Sequence, residues 1–402
     1  MSQASYTYID TPESLSQACE TLRTCKVLAV DTEFHRETTY YPEFALLQIY
    51  GNGQCWIIDP IILKDLNELW DILCNPSILK VFHAGRQDME IVLKESGRLP
   101  LPVFDTQVAA ALLGLGQQIG FGNLVQKVAK KELAKQESFS DWMGRPLRTK
   151  QLEYAADDVI WLMPVYQHLN ERLQARGRLA WLDEEQTKLC DLATYQESKD
   201  TVLWRVKGVH KLKGRALVVL RELAAWREEQ AKSRNIPRRR LIADEPLLEI
   251  ARRDSLDINI MGRMRGLTQG TIKRFGSDIM QVFQQGMEVP EESWPKANKR
   301  NHHTVGTDLR MELLDTLLNL KAEEGEISSS ILSSKGDLTD LASWGKQCKQ
   351  PEPDLSCLNG WRRELVGNDL LRLLRGELSL RIDPSNGTPV IDSRHVDREE
   401  NT

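Results

Sequence analysis

Over its first 205 residues the chain alternates short apolar runs with segments whose apolar positions recur every three or four residues. Residues 26–34, 45–50 and 55–59 read as strands, and the Gly51-Asn52-Gly53 turn between the last two marks a hairpin. Residues 63–73 carry helical spacing, 79–83 read as a further strand, and 89–95 and 106–113 as helices. From Thr149 to about residue 175 runs one long amphipathic helix with Thr149 as its N-cap. Pro164 removes a backbone hydrogen bond inside it, so a kink is expected there. Early hairpins followed by crossover helices predict an α/β domain over residues 1–205, a mixed sheet flanked by helices.

Beyond residue 205 the strand signals fade. Leu217, Leu220, Leu223 and Trp226 share one helical face, and Asn235-Ile236-Pro237 interrupts that pattern. A new helix is expected near Asp244, a good N-cap with Pro246 in the first turn, and Gly262, Gly266 and Gly270 punctuate shorter helices that end near Gly286. Residues 210–290 therefore form a small all-α module. Residues 291–307, rich in Pro, Lys, Arg and Asn, read as a linker; 308–382 carry a second helical pattern, and 383–402 a loose polar tail.

At 402 residues the chain exceeds one ordinary core and should split into two or three domains, and 41% apolar with 28% charged residues is the composition of a globular protein. No apolar run approaches the ~18 residues of a membrane span, so no membrane partner is expected. The start, MSQASYTYID, has no basic n-region and no apolar core, which excludes a signal peptide. Seven widely spaced cysteines without a CxxC pair predict free thiols in a reducing cytoplasm, and no zinc site. The net charge of −5 is unevenly spread. Residues 210–300 hold 19 Lys and Arg against 12 Asp and Glu, so a basic module is attached to an acidic remainder, as in a nucleic-acid-binding unit beside a metal-binding one. No pattern here sets an oligomeric state.

The chemistry concentrates in a few acidic positions. Asp31 and Glu33 follow the apolar run Val27–Val30, and side chains at i and i+2 on a strand share a face. Two carboxylates held close and desolvated repel each other unless a cation lies between them, and Mg²⁺ favours oxygen ligands. Tyr154 lies one helical turn before Asp158, with Asp157 competing for the same face. Asp88, at the opening of a helix, could add another carboxylate or simply cap that helix. Asp105 reads as an N-cap and His83 as a core histidine. Should these segments meet, the cluster would hold two divalent metal ions roughly 3.5–4 Å apart, the arrangement used for in-line displacement at phosphorus. Tyr154 would then orient the attacking water by hydrogen bond.

The motifs carry a family resemblance. The DTE of residues 31–33, the Asp88 motif and Tyr154-x-x-x-Asp158 resemble the tyrosine-containing subclass of DEDD exonucleases. FHAGRQDMEIV, FDTQVAAALLG and SDWMGRPLRTKQLEYAADDVIWL resemble the bacterial ribonuclease D family more specifically. The run LRELAAWREEQAKSRNIPRRRLIADEPLLEIA is similar to the helicase-and-RNase-D C-terminal (HRDC) domain, and residues 308–380 resemble a second, more divergent copy. The resemblance implies a ribonuclease H-like exonuclease domain followed by two HRDC-type helical domains. It also implies a 3′→5′ exoribonuclease that trims single-stranded RNA 3′ ends, including tRNA precursors, and releases 5′-mononucleotides. It selects Asp158 over Asp157 and assigns Asp31, Glu33 and Asp158 to the catalytic metal, Mg²⁺ or Mn²⁺. Asp31 then bridges to a second metal, which Asp88 approaches. Arg145 and Arg148, and the Arg238-Arg239-Arg240 patch, are candidate phosphate contacts, although ordinary surface arginines fit those positions too. Competing functions are a DNA-directed 3′→5′ exonuclease of the same superfamily and an RNA-binding adaptor with a vestigial site. The complete carboxylate set argues against the adaptor.

Overall fold

The computed structural model describes residues 5–133, 137, 140–295, 305–347 and 351–392. The apolar runs pair into a six-stranded sheet built from β1 (Thr7–Ile9), β2 (Val27–His35), β3 (Glu43–Gly51), β4 (Gln54–Ile58), β5 (Leu79–Phe82) and β6 (Val103–Asp105). Their spatial order is β1-β4-β3-β2-β5-β6, with β3 antiparallel to both β2 and β4 and the remaining pairs parallel. The sheet is therefore mixed. Asn52-Gly53 closes the β3–β4 hairpin with both residues at positive φ. The edge strands β1 and β6 are three residues each, too short to show an alternating pattern.

Alternation along β2 feeds two cores. Leu28 and Val30 pack with α1 (Pro12–Leu22), α2 (Asn67–Leu73) and α3 (Arg86–Ser96) on one side. On the other side Ala29 belongs with α4 (Thr106–Leu112), α5 (Phe121–Ala129), α6 (Thr149–Ile160), α7 (Leu162–Ala175) and α8 (Leu179–Cys190). Asp31 and Glu33 continue that second side. The helix expected over 63–73 begins only at Asn67, because Asp65 accepts from the Asn67 N–H and holds a turn there.

The single long helix from Thr149 is two helices. Pro164 sits in the first turn of α7, where it cannot donate to the Ile160 carbonyl, and the chain breaks at Trp161. Arg148, not Thr149, is the N-cap of α6, and its N–H donates to Gln151 Oε1 at 3.1 Å.

A separate core gathers α9 (Lys199–Trp204), α10 (Arg215–Arg234), α11 (Arg238–Leu241), α12 (Asp244–Ala251), α13 (Ile258–Gly262) and α14 (Gln269–Glu288). Asp244 is the first residue of α12 rather than its N-cap, and its carboxylate accepts from buried Arg227 at 2.8 Å. By contrast, α15 (Val305–Glu324), α16 (Ser329–Leu332), α17 (Lys335–Trp344) and α18 (Asn368–Arg375) share their core with the sheet domain. Trp361 stacks on Trp181 with ring centroids 4.4 Å apart, the Ser328 N–H donates to the Ala111 carbonyl at 2.9 Å, and Arg362 pairs with Glu184 and Glu185.

Part of the expected linker and tail is ordered structure. α15 begins at Val305, and residues 296–304 lie outside the described residues. Ser379–Ile382 and Pro389–Asp392 form an antiparallel hairpin whose turn is fixed by Asp383, which accepts from Ser385; residues 393–402 lie outside the described residues. Six cysteines are free among the described residues, and no described helix is long and apolar enough to cross a membrane.

Candidate active site

The burial of Leu28–Val30 fixes β2 in the centre of the sheet, which aims Asp31 and Glu33 at the face covered by α6. α6 meets that face through Ala155, Ala156 and Val159, all fully buried. The two alanines have no bulk beyond Cβ, so the helix lies close to the sheet. Asp158 thereby comes within 4.8 Å of both Asp31 and Glu33, measured between one carboxylate oxygen of each. Asp157 turns away from the cluster, toward Lys131 and Trp161. The Tyr154 hydroxyl, one turn before Asp158, donates to the Asp158 carboxylate.

Asp88 reaches the group from the opposite face of the sheet. It lies on the first turn of α3, is buried, and accepts from Thr32 Oγ1 at 2.5 Å. The turn before α3 is pinned by Asp105, which accepts from the N–H groups of Ala84 (3.1 Å) and Gly85 (3.0 Å) while capping α4. His83 is satisfied between Thr106 Oγ1 (2.9 Å) and the Ile119 carbonyl (3.0 Å), a core role.

The electrostatics of this group are unfavourable without a cation. Burial lifts the Asp31 carboxyl well above its usual range, and the charges of Asp88, Asp158 and Glu33 lift it further. Glu33 is pushed up to about 9 by burial and then by Asp158 and Asp88. Asp158 rises to about 7, again through burial, with the Tyr154 hydrogen bond holding it back. Asp88 rises to about 6 by burial, opposed by the Thr32 hydrogen bond. An all-oxygen donor set that resists carrying its own charge fits a hard divalent cation.

Arg145 is not available to a phosphate. Nε and Nη2 grip the Asp59 carboxylate, Nη2 also donates to the Ala45 carbonyl, and Nη1 donates to the Trp142 and Gly144 carbonyls. All five guanidinium donors are thereby used. Arg148 secures the start of α6 through Gln151, Ser140 and Glu137, with its side chain largely exposed. Arg238 and Arg239 lie 3.6 and 3.8 Å from Glu228 and Asp244, and Arg240 is exposed. Gln48 beside the cluster and Asp59 beneath Arg145 carried no motif signal of their own, and Thr32 entered only as the middle residue of the DTE motif.

Among known proteins, a family model described as 3′-5′ exonuclease matches residues 6–174, and the HRDC domain model matches residues 216–283. Ribonuclease D of Granulibacter bethesdensis is 39% identical over 380 residues, covering 94% of each chain. The chain belongs to the ribonuclease D family. Ribonuclease D of Gluconacetobacter diazotrophicus is likewise 39% identical, over 93% of this chain and 94% of its own. The crystal structure of Escherichia coli RNase D, described as an exoribonuclease involved in structured RNA processing, superimposes with a TM-score of 0.78 at 31% identity, over 92% of this chain and 99% of its own. Dependence on divalent metal accords with the ribonuclease D family and with the carboxylate cluster together.

Proposed function

We propose that Asp31, Glu33, Asp88, Tyr154 and Asp158 form the catalytic centre of this 3′→5′ exoribonuclease, and that it removes 5′-mononucleotides from single-stranded RNA 3′ ends. The observation that carries the assignment is the approach of Asp31, Glu33 and Asp158 to within 4.8 Å of one another. Asp31, Glu33 and Asp158 would hold one Mg²⁺ or Mn²⁺ ion, and Asp31 with Asp88 would serve a second. Such ions supply charge neutralisation at the scissile phosphate and activation of water. The protein's own part is placement. β2 and α6 are rigid elements that set the carboxylates, Thr32 holds Asp88, and the Tyr154 hydroxyl, one turn from Asp158, orients the attacking water.

Support for a single-stranded polynucleotide comes from a cleft of about 700 Å³ between the sheet domain and the first helical module. Its lining includes Arg36, Arg86, Lys94, Arg205 and Lys232 against Glu90 and Glu197, together with Tyr40, Tyr41 and Tyr195. Arg36 directly follows β2 and Arg86 opens α3, the elements that carry Asp31, Glu33 and Asp88. Cations interleaved with aromatic rings suit backbone contact and base stacking, which give weak sequence preference and selection for unpaired ends.

The functional units of this reading are an exonuclease domain over 1–205, an HRDC domain over 210–290 and a divergent HRDC-like domain over 308–382. Arg148 and Arg238 to Arg240 are its secondary phosphate contacts, tRNA precursors its substrates, and the cytoplasm, which suits free thiols, its location. Matched RNA and DNA oligonucleotides with single-stranded 3′ ends test the substrate. Mononucleotide release from RNA at least about tenfold faster than from DNA is expected; equal or reversed rates would assign the site to DNA.

A further inference from the structure

From Ala45 to Ile49, β3 is apolar except at one position. Gln48 is fully buried there, and neither its amide nitrogen nor its carbonyl oxygen has a hydrogen-bond partner among the described residues. A buried polar group left unpaired costs about 1–3 kcal/mol, and Gln48 carries two. Leucine or methionine would fill the same space without that cost, so packing does not account for the residue.

Its location does. Across the β2–β3 ladder Gln48 is directly opposite Asp31, and Leu46 is opposite Glu33. Directly opposite residues present their side chains on one face, with Cβ atoms about 4.5–5.5 Å apart. Gln48 therefore shares with Asp31 and Glu33 the face that α6 covers. At that separation a glutamine amide spans the gap to an aspartate carboxylate by an ordinary rotamer change.

A carboxylate that turns one oxygen to a cation needs a donor on the other to fix its orientation. Lysine or arginine opposite Asp31 would compete with the cation for its charge, a carboxylate would add to the repulsion, and a serine hydroxyl would fall short. A neutral amide orients without altering charge. Asp88 already has such a partner, since Thr32 Oγ1 donates to it.

We propose that Gln48 is a positioning residue of the active site, its amide donating to the Asp31 carboxylate when that carboxylate binds a divalent metal ion. The inference rests on the cluster being the metal site proposed above.

The test uses full-length Gln48→Met and Gln48→Leu, which keep bulk and remove both polar ends. Three quantities are measured: thermal unfolding in EDTA, Mn²⁺ binding by titration calorimetry, and steady-state cleavage of an RNA oligonucleotide. The expected result is a Tm in EDTA at or above that of the native protein, since an unpaired polar group has been removed. Mn²⁺ affinity should fall roughly 10–100-fold, and kcat should fall at least about tenfold with KM changed less than about twofold. Native Mn²⁺ affinity in both variants overturns the inference while leaving the metal site intact. Loss of folding in EDTA by both variants assigns Gln48 a structural role and overturns it as well. Failure of the native protein itself to bind Mn²⁺ removes the metal site and this inference together.

Discussion

Replacing Asp158 by asparagine should make the metal-free protein more stable while abolishing cleavage. The Asp158 carboxyl, ordinarily near 3.8, is pushed up to about 7 in the fold, chiefly by burial, with the Tyr154 hydrogen bond opposing the rise and the neighbouring Asp157 charge adding to it. A carboxyl raised in the folded state contributes its stability only while protonated, and that contribution is lost as pH climbs from the unfolded value through the folded one. The window for Asp158 therefore runs from about pH 4 to pH 7. Roughly three pKa units correspond to a ceiling of ~4 kcal/mol above pH 7. The Asp158 side chain is only partly buried, so solvent screening reduces this to about 1–2 kcal/mol. For a cooperative unit of roughly 200 residues that is a rise in Tm of about 2–8 °C. The assay is thermal unfolding in EDTA from pH 4 to pH 8. Asp158→Asn should match the native protein near pH 4 and exceed it progressively toward pH 8. Added Mn²⁺ should reverse the order by raising the native Tm alone. A variant less stable than the native protein at pH 8 in EDTA, or a pH-independent difference, would refute the account of a charge cluster held against its own repulsion.

Other residues give sharper functional contrasts. Tyr154→Phe should reduce kcat roughly 10²-fold or more with RNA affinity unchanged, read by single-turnover cleavage and equilibrium binding; a loss confined to affinity would contradict a role in orienting water. Arg145→Ala should lower stability by about 3–5 kcal/mol, because it leaves the buried Asp59 carboxylate without its counter-charge, held only by the Tyr8 hydroxyl and the Ile61 and Ile62 N–H groups. Weakened RNA binding at native Tm would instead restore Arg145 as a phosphate contact. Arg86→Glu in the cleft should weaken binding of a 20-nucleotide RNA and flatten its salt dependence, while dinucleotide cleavage stays within about twofold of native. An unchanged salt slope would move the RNA path elsewhere.

Residues near in sequence were legible without coordinates; contacts across the fold were not. Asp31 and Glu33 declared themselves because strand geometry places i and i+2 together and an apolar strand has no use for two charges. Helix spacing alone could not separate Asp157 from Asp158, which differ by about 100° around α6. The buried Ala155, Ala156 and Val159 select the face, and their burial depends on the sheet. Family resemblance, rather than spacing, singled out Asp158. Pro164 was visible as a disruption, but whether a helix bends or restarts depends on the packing around Trp161. Arg145 looked like a surface cation because its partner Asp59 is 86 residues away. The shared core of the C-terminal helices was hidden for the same reason: Trp181 and Trp361 meet only in three dimensions. Gln48 was invisible in sequence, since one polar residue in an apolar strand has meaning only once Asp31 is known to lie opposite.

The most direct test follows 5′-labelled single-stranded RNA through digestion by the native protein and by Asp31→Asn, each with Mg²⁺ and with EDTA. The account predicts that native protein with Mg²⁺ shortens the RNA one nucleotide at a time from its 3′ end, and that EDTA or the substitution each abolishes the reaction. Undiminished shortening by Asp31→Asn, or by native protein in EDTA, would contradict it.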